Sequence, residues 1–247
     1  MTLLVDAGNT RIRWAGVVGG AVHPGGCETH AGGDLQALLD RAWSGLPAPR
    51  AVLVANVAGE EFGAHLRAWT TRHWGVSPQF VVPRRAAFGV VNAYRVPRRL
   101  GADRWAALVA TRYRIPGPAC VVDCGTAITM DVLSARGEHL GGLIVPGIGL
   151  MRRVLVEHTA GVPDEPDGEV SLLARDTRDA VTGGTLYAAV AVLDRVVGDV
   201  AEELGPGLVP VITGGDAARV LPLLRGRYRH EPDLVLEGLA LIAGELK

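Results

Sequence analysis

The chain has 247 residues, of which 48% are apolar, so it can bury a sizeable core and is expected to form one or two domains. Its 25 basic and 26 acidic residues give a formal net charge of -1, which argues against a generic nucleic-acid-binding protein. Lys247 is the only lysine, so P-loop, Schiff-base and pyridoxal chemistry, which all need a lysine, are excluded.

The start of the chain does not predict export or membrane insertion. It has neither a basic segment nor a cleavage site of small residues, so no secretory signal is predicted. The longest stretch without a charged residue, 180–193, is shorter than the roughly 18 residues that a membrane span needs. The three cysteines form no C-x-x-C pair, which disfavours disulfides and zinc. We therefore expect a cytoplasmic protein that has no membrane partner.

Hydrophobic patterning predicts strands alternating with helices in the first half of the chain. Apolar or alternating runs predict strands at 3–6, 11–17, 51–57 and 80–82. Helical periodicity predicts helices at 34–43, 60–74 and 102–113, with Asp34 near the N-cap of the first. The segment 83–99 combines short strand-like fragments with two prolines and is predicted to be irregular.

The same pattern restarts after Pro116-Gly117-Pro118. Strands are predicted at 120–123, 128–133, 140–145 and 209–213, and helices at 149–157, 176–204, 216–224 and 234–246. The polar segment 162–168 is predicted to be a loop. The seven histidines show no ligand spacing and are expected at the surface or in caps.

A short internal similarity supports a duplication. The sequence LLVDAGNT at 3–10 aligns with CVVDCGTA at 120–127, an offset close to half the length of the chain. We therefore predict two α/β domains, residues 1–116 and 117–247, with a cleft between them.

Each copy places Asp-x-Gly where a strand ends. Glycine lets the backbone approach a ligand, and the N–H groups and threonine hydroxyls of such a turn can bind phosphate oxygens. The carboxylate can hold a cation that neutralises those oxygens. An ordinary turn capped by aspartate would explain one copy alone. Two copies at matching places favour a pair of turns that grip one nucleotide.

The two turns resemble the phosphate-binding hairpins of the superfamily that contains actin, sugar kinases and heat-shock ATPases. More narrowly, four motifs in this order resemble type III pantothenate kinases: DAGNT at 6–10, GADR at 101–104, DCGTAIT at 123–129 and GGLIVPG at 141–147. Thr177 and the Thr-Gly-Gly at 213–215 extend the likeness to most of the chain. The resemblance implies duplicated ribonuclease H-like (actin-like ATPase) domains, with mixed sheets flanked by helices and a nucleotide cleft between them.

The resemblance also implies an activity, which is ATP-dependent phosphorylation of the primary hydroxyl of pantothenate, the first step of coenzyme A biosynthesis. It implies Mg²⁺, a monovalent cation (K⁺ or NH₄⁺) and a homodimer. The charge balance and the lack of a DNA or RNA motif predict no nucleic-acid partner.

Site residues follow from the same resemblance. ATP would be bound by Asp6, Ala7, Gly8, Asn9, Thr10, Arg11, Ile12, Arg13 and Thr126, and Asp123 would hold the monovalent cation. Pantothenate would contact Tyr94, Gly101, Ala102, Asp103, Arg104 and Thr177, with Asp103 as the catalytic base.

Two of these residues also have simpler explanations. Asp103 lies at a predicted helix start, where an acid serves equally well as a cap. Arg104 could orient an anionic acceptor, pair with Asp103, or lie on a solvated helix face. The stretch from Arg84 to Arg104 holds six arginines and one acid, which would attract anionic substrates; a solvated loop and a nucleic-acid surface are the alternatives.

Two other functions remain open on the same scaffold. One is a regulatory or chaperone-like ATPase without a small acceptor. The other is a binding protein without turnover, such as a transcriptional accessory factor. Acceptor-dependent release of ADP would distinguish the kinase from both.

Overall fold

The computed structural model of the protein describes residues 1–30, 33–165 and 167–244. The chain falls into two compact units, each built on one five-stranded sheet. The first unit comprises Met1–Arg114, Gly137–His139 and the segment from Asp233 onward; the second comprises Ile115–Arg136 and Leu140–Pro232. The domain division at 116/117 stays a prediction.

Strands and helices alternate along the chain. The elements up to residue 114 are β1 (Thr2–Ala7), β2 (Arg11–Val18), β3 (Ala21–Thr29), α1 (Leu35–Trp43), β4 (Ala51–Asn56), α2 (Glu60–Trp74), β5 (Gln79–Phe80), β6 (Ala86–Ala87), β7 (Val90–Val91), a 3₁₀ turn (Pro97–Arg99) and α3 (Ala102–Arg114). They are followed by β8 (Ala119–Cys124), β9 (Ala127–Leu133), β10 (His139–Pro146), α4 (Ile148–His158), α5 (Thr177–Leu204), β11 (Val209–Thr213), α6 (Ala217–Val220), a 3₁₀ turn (Leu221–Leu223), β12 (Arg229–His230) and α7 (Leu234–Ile242).

The two sheets have the same strand order. The first runs β3-β2-β1-β4-β5 and the second β10-β9-β8-β11-β12. The central strand β1 pairs antiparallel with β2 and parallel with β4, and β8 pairs in the same two ways with β9 and β11. The predicted α/β class with two mixed sheets is confirmed, and the shared strand order supports the internal duplication.

Some predicted elements differ from the structure. The strands β3 and β12 lie at sheet edges and are mostly exposed, so they lack the apolar alternation that predicts a strand. The helix predicted at 216–224 is wrong in length: it ends at Val220, and a 3₁₀ turn with proline at its start follows. The helix predicted at 234–246 ends at Ile242. Residues 245 and 246 of that prediction lie outside the described residues.

Aromatic rings dominate the core of the first unit. Trp43 and Trp69 are fully buried, with ring centroids 5.6 Å apart in an edge-to-face arrangement. In the second unit, Cys120 and Cys124 of β8 lie in a core with Leu193 of α5. Each sheet is thus fixed by its own hydrophobic cluster, and the central strand of each ends at an aspartate turn.

The long helix α5 is apolar enough to cross a membrane, judged by length and composition alone. However, 44% of its most apolar 18-residue window is buried inside the protein, and Leu186 and Leu193 belong to the core of the second unit. A core helix passes the same test, so these two properties are weak support for a membrane span.

Candidate active site

The first aspartate turn joins β1 to β2 in the first unit. Asp6 lies near the end of β1 opposite Arg13, and the Gly8 N–H donates to the Arg11 carbonyl over 3.0 Å. A Cβ on Gly8 would lie 3.3 Å from that carbonyl oxygen, so glycine allows the turn to close tightly. The predicted ATP-binding residues 6–13 are therefore continuous in one hairpin.

His30 ties this hairpin to the end of β3. Its Nε2 donates to the Gly8 carbonyl over 2.7 Å, and its backbone N–H donates to the Thr10 carbonyl over 2.9 Å. No sequence pattern predicts this contact, because His30 is 22 residues from Gly8. Two hydrogen bonds from one residue restrict the turn without occupying its own N–H groups.

The second aspartate turn joins β8 to β9 in the second unit and is one residue shorter. Cys124 pairs with Ile128, and the Gly125 N–H donates to the Ala127 carbonyl over 3.1 Å. Asp123 lies near the end of the strand and is half-buried, as is Thr126 in the turn. The carboxylate and hydroxyl that the sequence predicts for a cation and for ATP therefore lie three residues apart in one hairpin.

Two glycines close around this second turn. A Cβ on Gly214, which follows β11 with a φ of +95°, would lie 2.4 Å from Asp123 Oδ1 and 2.6 Å from the Cys124 backbone. A Cβ on Gly147, at the start of α4, would lie 2.2 Å from the Gly125 carbonyl oxygen. The motifs at 141–147 and 213–215 thus supply glycines where the backbone passes closest to the turn.

Cys124, next to Asp123, is buried and uncharged. Burial raises the pKa of its thiol from 9.0 to about 12, and the negative charges of Asp123 and Asp216 add to this rise. The thiol is therefore protonated at neutral pH, and Asp123 is the residue of this pair that supplies negative charge to the turn.

The predicted acceptor residues Tyr94 and Arg104 contact each other in the first unit. Arg104 Nη1 donates to the Tyr94 hydroxyl over 2.8 Å, and the guanidinium carbon lies 5.6 Å from the Tyr94 ring centroid. Arg104 is only 7% exposed, which rules out the alternative that it lies on a solvated helix face. Tyr94 also stacks on His139, with ring centroids 6.1 Å apart.

His139 is the exception among the histidines predicted to lie at the surface. It is 3% exposed, and although it begins β10 it belongs to the first unit. No periodicity marks a residue that stacks on a partner 45 positions away, so the sequence could not identify this contact.

Asp103 lies in the first turn of α3 and is half-buried. Its Oδ1 accepts the Arg104 backbone N–H over 2.7 Å. A Cβ on Gly101 would lie 2.4 Å from the same oxygen, so glycine at this position leaves room for the carboxylate. The bond satisfies one of the free N–H groups of the first helical turn, and it holds the Asp103 side chain in one orientation.

The structure groups the predicted site residues within each unit. Tyr94, Gly101, Ala102, Asp103 and Arg104 lie in the first unit with the 6–13 hairpin. Thr177, an exposed residue that begins α5, lies in the second unit with Asp123 and Thr126.

The basic stretch from Arg84 to Arg104 separates into different environments. Five of the six, Arg84, Arg85, Arg95, Arg98 and Arg99, are exposed, whereas Arg104 is buried against Tyr94. Arg85 donates to backbone carbonyls of the segment that carries Tyr94. The six arginines therefore do not form one uniform charged surface.

Comparison with known proteins identifies the family. The sequence model of the type III pantothenate kinase family matches residues 2–199. A type III pantothenate kinase from Nitrosococcus oceani is 48% identical over 249 residues, which cover 98% of this chain and 94% of that protein. This chain belongs to the type III pantothenate kinase family.

Solved structures agree with the fold of this pantothenate kinase family member. A candidate 2-dehydro-3-deoxygalactonokinase from Sinorhizobium meliloti is similar with a TM-score of 0.62 at 15% identity, covering 98% of both chains. A candidate Baf family transcriptional activator from Campylobacter jejuni is similar with a TM-score of 0.61 at 20% identity, also covering 98% of both chains. At these identities the likeness concerns the fold alone, which is the sugar-kinase and actin-like ATPase fold.

Family membership decides between the functions that the sequence left open. Matches to type III pantothenate kinases over nearly the whole chain support a kinase enzyme. They do not favour the accessory or binding protein without turnover.

Proposed function

We propose that this chain transfers the terminal phosphoryl group of ATP to the primary hydroxyl of pantothenate. The observation that carries the proposal is that a buried cation and a carboxylate are neighbours at one helix start. Arg104, which is hydrogen-bonded to Tyr94, directly follows Asp103 in the chain. An acceptor that has both a carboxylate and a hydroxyl needs these two groups. Their place in a family member supports pantothenate as that acceptor.

Arg104 would bind the carboxylate of pantothenate. A guanidinium offers forked donors that match a carboxylate, and removal from water strengthens the charge interaction. The Tyr94 hydroxyl accepts a hydrogen bond from one of those donors and so fixes the orientation of the guanidinium. We propose Gly101, Ala102 and Thr177 as further pantothenate contacts, as the motif resemblance implies.

Asp103 would accept the proton of the attacking hydroxyl. Phosphoryl transfer passes through a loose transition state in most analyses, so the nucleophile is oriented first and loses its proton as transfer proceeds. The backbone N–H of Arg104 fixes one carboxylate oxygen of Asp103. A carboxylate retains further acceptor sites after one such bond.

The two aspartate turns would bind ATP. Backbone N–H groups and the Thr10 and Thr126 hydroxyls suit phosphate oxygens, and the Asp123 carboxylate suits a hard cation. Across residues 1–30, 33–165 and 167–244, no three His, Cys, Asp or Glu side chains form a metal cluster. A potassium or ammonium ion at Asp123 would therefore take its other contacts from phosphate, carbonyl and water oxygens. Mg²⁺, carried with ATP, would neutralise charge on the phosphates.

We further propose a cytoplasmic homodimer. Large apolar side chains of the second unit are exposed, including Leu143 at 49%, Leu172 at 73% and Leu173 at 83%. Contiguous exposed apolar surface marks association surfaces, and we propose that these side chains contribute to one. The family resemblance implies the same assembly.

A steady-state assay tests the proposed function. Purified protein is given ATP with and without pantothenate, ADP release is followed by a coupled enzyme assay, and the phosphorylated product is identified by mass spectrometry. Release of ADP that depends on pantothenate supports the kinase. Release that does not need pantothenate would indicate an ATPase, and no release in either mixture would indicate a binding protein.

A further inference from the structure

We propose that Arg85 is a positioning residue for the acceptor site, because it fixes the backbone of the segment that carries Tyr94. This inference rests on the proposed function. Arg85 Nη1 donates to the carbonyls of Asn92 over 3.3 Å and Tyr94 over 3.1 Å, and Nη2 donates to the carbonyl of Arg95 over 2.9 Å. One side chain thus binds three carbonyls within four consecutive residues.

The segment 92–96 needs such support because it is neither helix nor strand. Irregular backbone has no ladder of its own hydrogen bonds, so side chains must hold it in one conformation. Asn92, which is 1% exposed, contributes the second half of the support. Its Oδ1 accepts the Tyr94 N–H over 2.9 Å, and its Nδ2 donates to the Pro97 carbonyl over 3.2 Å.

Arg85 and Asn92 are also joined to each other in both directions. The Asn92 N–H donates to the Arg85 carbonyl over 2.9 Å, while the Arg85 side chain donates to the Asn92 carbonyl. The backbone on either side of Tyr94 is therefore held from one place. The two terminal nitrogen atoms of the planar guanidinium reach the three carbonyls together, whereas a lysine ammonium donates from a single nitrogen atom.

The position of Tyr94 is passed on to Arg104. The Tyr94 hydroxyl accepts from Arg104 Nη1, and the Tyr94 ring lies beside the same guanidinium. A shift of the Tyr94 backbone would therefore turn the cation proposed to bind the acceptor carboxylate. Losing the contacts of Arg85 would lower the fraction of molecules in which Arg104 is ready to bind.

Arg84 is a natural control for this proposal. It is the neighbouring residue, it carries the same charge, and like Arg85 it is exposed. It makes no hydrogen bond or ion pair with any residue that the structure describes. Replacing Arg84 by alanine removes one positive charge from the basic stretch without removing a contact to the Tyr94 segment.

The experiment compares Arg85→Ala, Arg85→Lys and Arg84→Ala with the unmodified chain. For each protein, KM is measured for pantothenate and for ATP, together with kcat and the thermal unfolding midpoint. We expect Arg85→Ala to raise KM for pantothenate about tenfold over Arg84→Ala, while KM for ATP stays within about twofold. Arg85→Lys should restore only part of the loss. Because Arg85→Lys keeps the positive charge, this variant can still test the proposal if Arg85→Ala folds poorly.

Three kinetic results would overturn the proposal. Equal KM values for pantothenate in Arg85→Ala and Arg84→Ala would show that only charge matters. Full recovery of the KM for pantothenate in Arg85→Lys would also show that only the charge of residue 85 matters. A parallel rise in both KM values would indicate general damage to the fold instead of positioning, and would also overturn it.

Hydrogen exchange separates this proposal from the proposed function. The Tyr94 amide, which donates to Asn92, should exchange faster in Arg85→Ala than in Arg84→Ala without any substrate. If the unmodified chain does not phosphorylate pantothenate, the proposed function fails. The exchange rates then still decide whether Arg85 holds the segment 92–96. Equal exchange rates of the Tyr94 amide in Arg85→Ala and Arg84→Ala would show that it does not.

Discussion

The Asp123 carboxylate lies directly against the backbone of Gly214, so closely that a Cβ on Gly214 would fall 2.4 Å from Asp123 Oδ1. This contact joins the end of β8 to the turn that follows β11, its parallel neighbour in the sheet. Glycine is therefore needed at 214 for two reasons. A side chain there would collide with Asp123, the candidate cation ligand, and the positive φ disfavours any other residue.

Gly214→Ala should therefore reduce both stability and activity. The new methyl group would displace Asp123, and alanine is strained at a φ of +95°, which together should cost about 1–3 kcal/mol of unfolding free energy. Gly198→Ala in α5 is the matched control, because a Cβ there meets no atom within 4 Å. Since alanine is the better helix former, that control should be neutral or stabilising by up to about 1 kcal/mol. Chemical denaturation of both variants measures the contrast, and an equal effect of the two would contradict it.

Asp103→Asn should reduce turnover and leave the fold intact. The amide oxygen can still accept the Arg104 N–H, and loss of one negative charge in the first turn of α3 should cost less than about 1 kcal/mol, so the unfolding midpoint should fall only slightly. Loss of the general base should lower kcat by about 10²–10⁴-fold. Turnover near that of the unmodified chain would leave Asp103 with only its capping role.

Tyr94→Phe should weaken acceptor binding selectively. The change removes the hydroxyl that accepts from Arg104 but keeps the ring that stacks on His139. Because the lost bond involves a charged donor, KM for pantothenate should rise about tenfold. KM for ATP is the internal reference, and a similar change in both constants would argue against the assignment of Tyr94 to the acceptor.

Potassium or ammonium should activate the enzyme through Asp123. Rates are compared in potassium and sodium buffers of equal ionic strength, and we expect about a tenfold or larger advantage for potassium. Asp123→Asn should lose this dependence. Asp164→Asn, which changes an exposed acid of the same unit, should retain it. A rate that is the same in both buffers would remove the cation from the proposed site.

The buried cysteines should resist thiol reagents. Burial raises the pKa values of Cys120 and Cys124 to about 12, so at pH 8 only about one buried thiol in ten thousand is a thiolate. Cys27 is exposed and should react alone and rapidly in the folded protein, with three thiols reacting after unfolding. Stability should also fall between pH 9 and about 12, because the unfolded chain releases thiol protons that the folded chain retains. Rapid reaction of more than one thiol in the folded protein would contradict this picture.

Local signals allowed much of the fold to be predicted from the sequence. Asp34 caps α1 as expected, its side chain accepting N–H groups of the first turn. The two aspartate turns were found through their repeated motif. By contrast, Arg84 and Arg85 are neighbouring residues of the same type. Only the three-dimensional path of the chain determines that Arg85 donates to the Tyr94 carbonyl and Arg84 does not. The burial of His139 depends in the same way on contacts distant in sequence, which no periodicity encodes.

The helix α7 follows the second unit along the chain, yet it completes the first unit. It packs on α3 so tightly that a Cβ on Gly238 would lie 1.9 Å from the Ala106 carbonyl oxygen, and Arg13 pairs with Asp233 just before it, over 2.5 Å. The first unit can therefore close only after residues 115–232, which include the whole of the second unit, have been synthesised. Until α7 has been synthesised, the surface of α3 that it covers stays exposed to solvent. We expect nascent chains stopped before residue 234 to bind chaperones and to be cut by proteases in their N-terminal half.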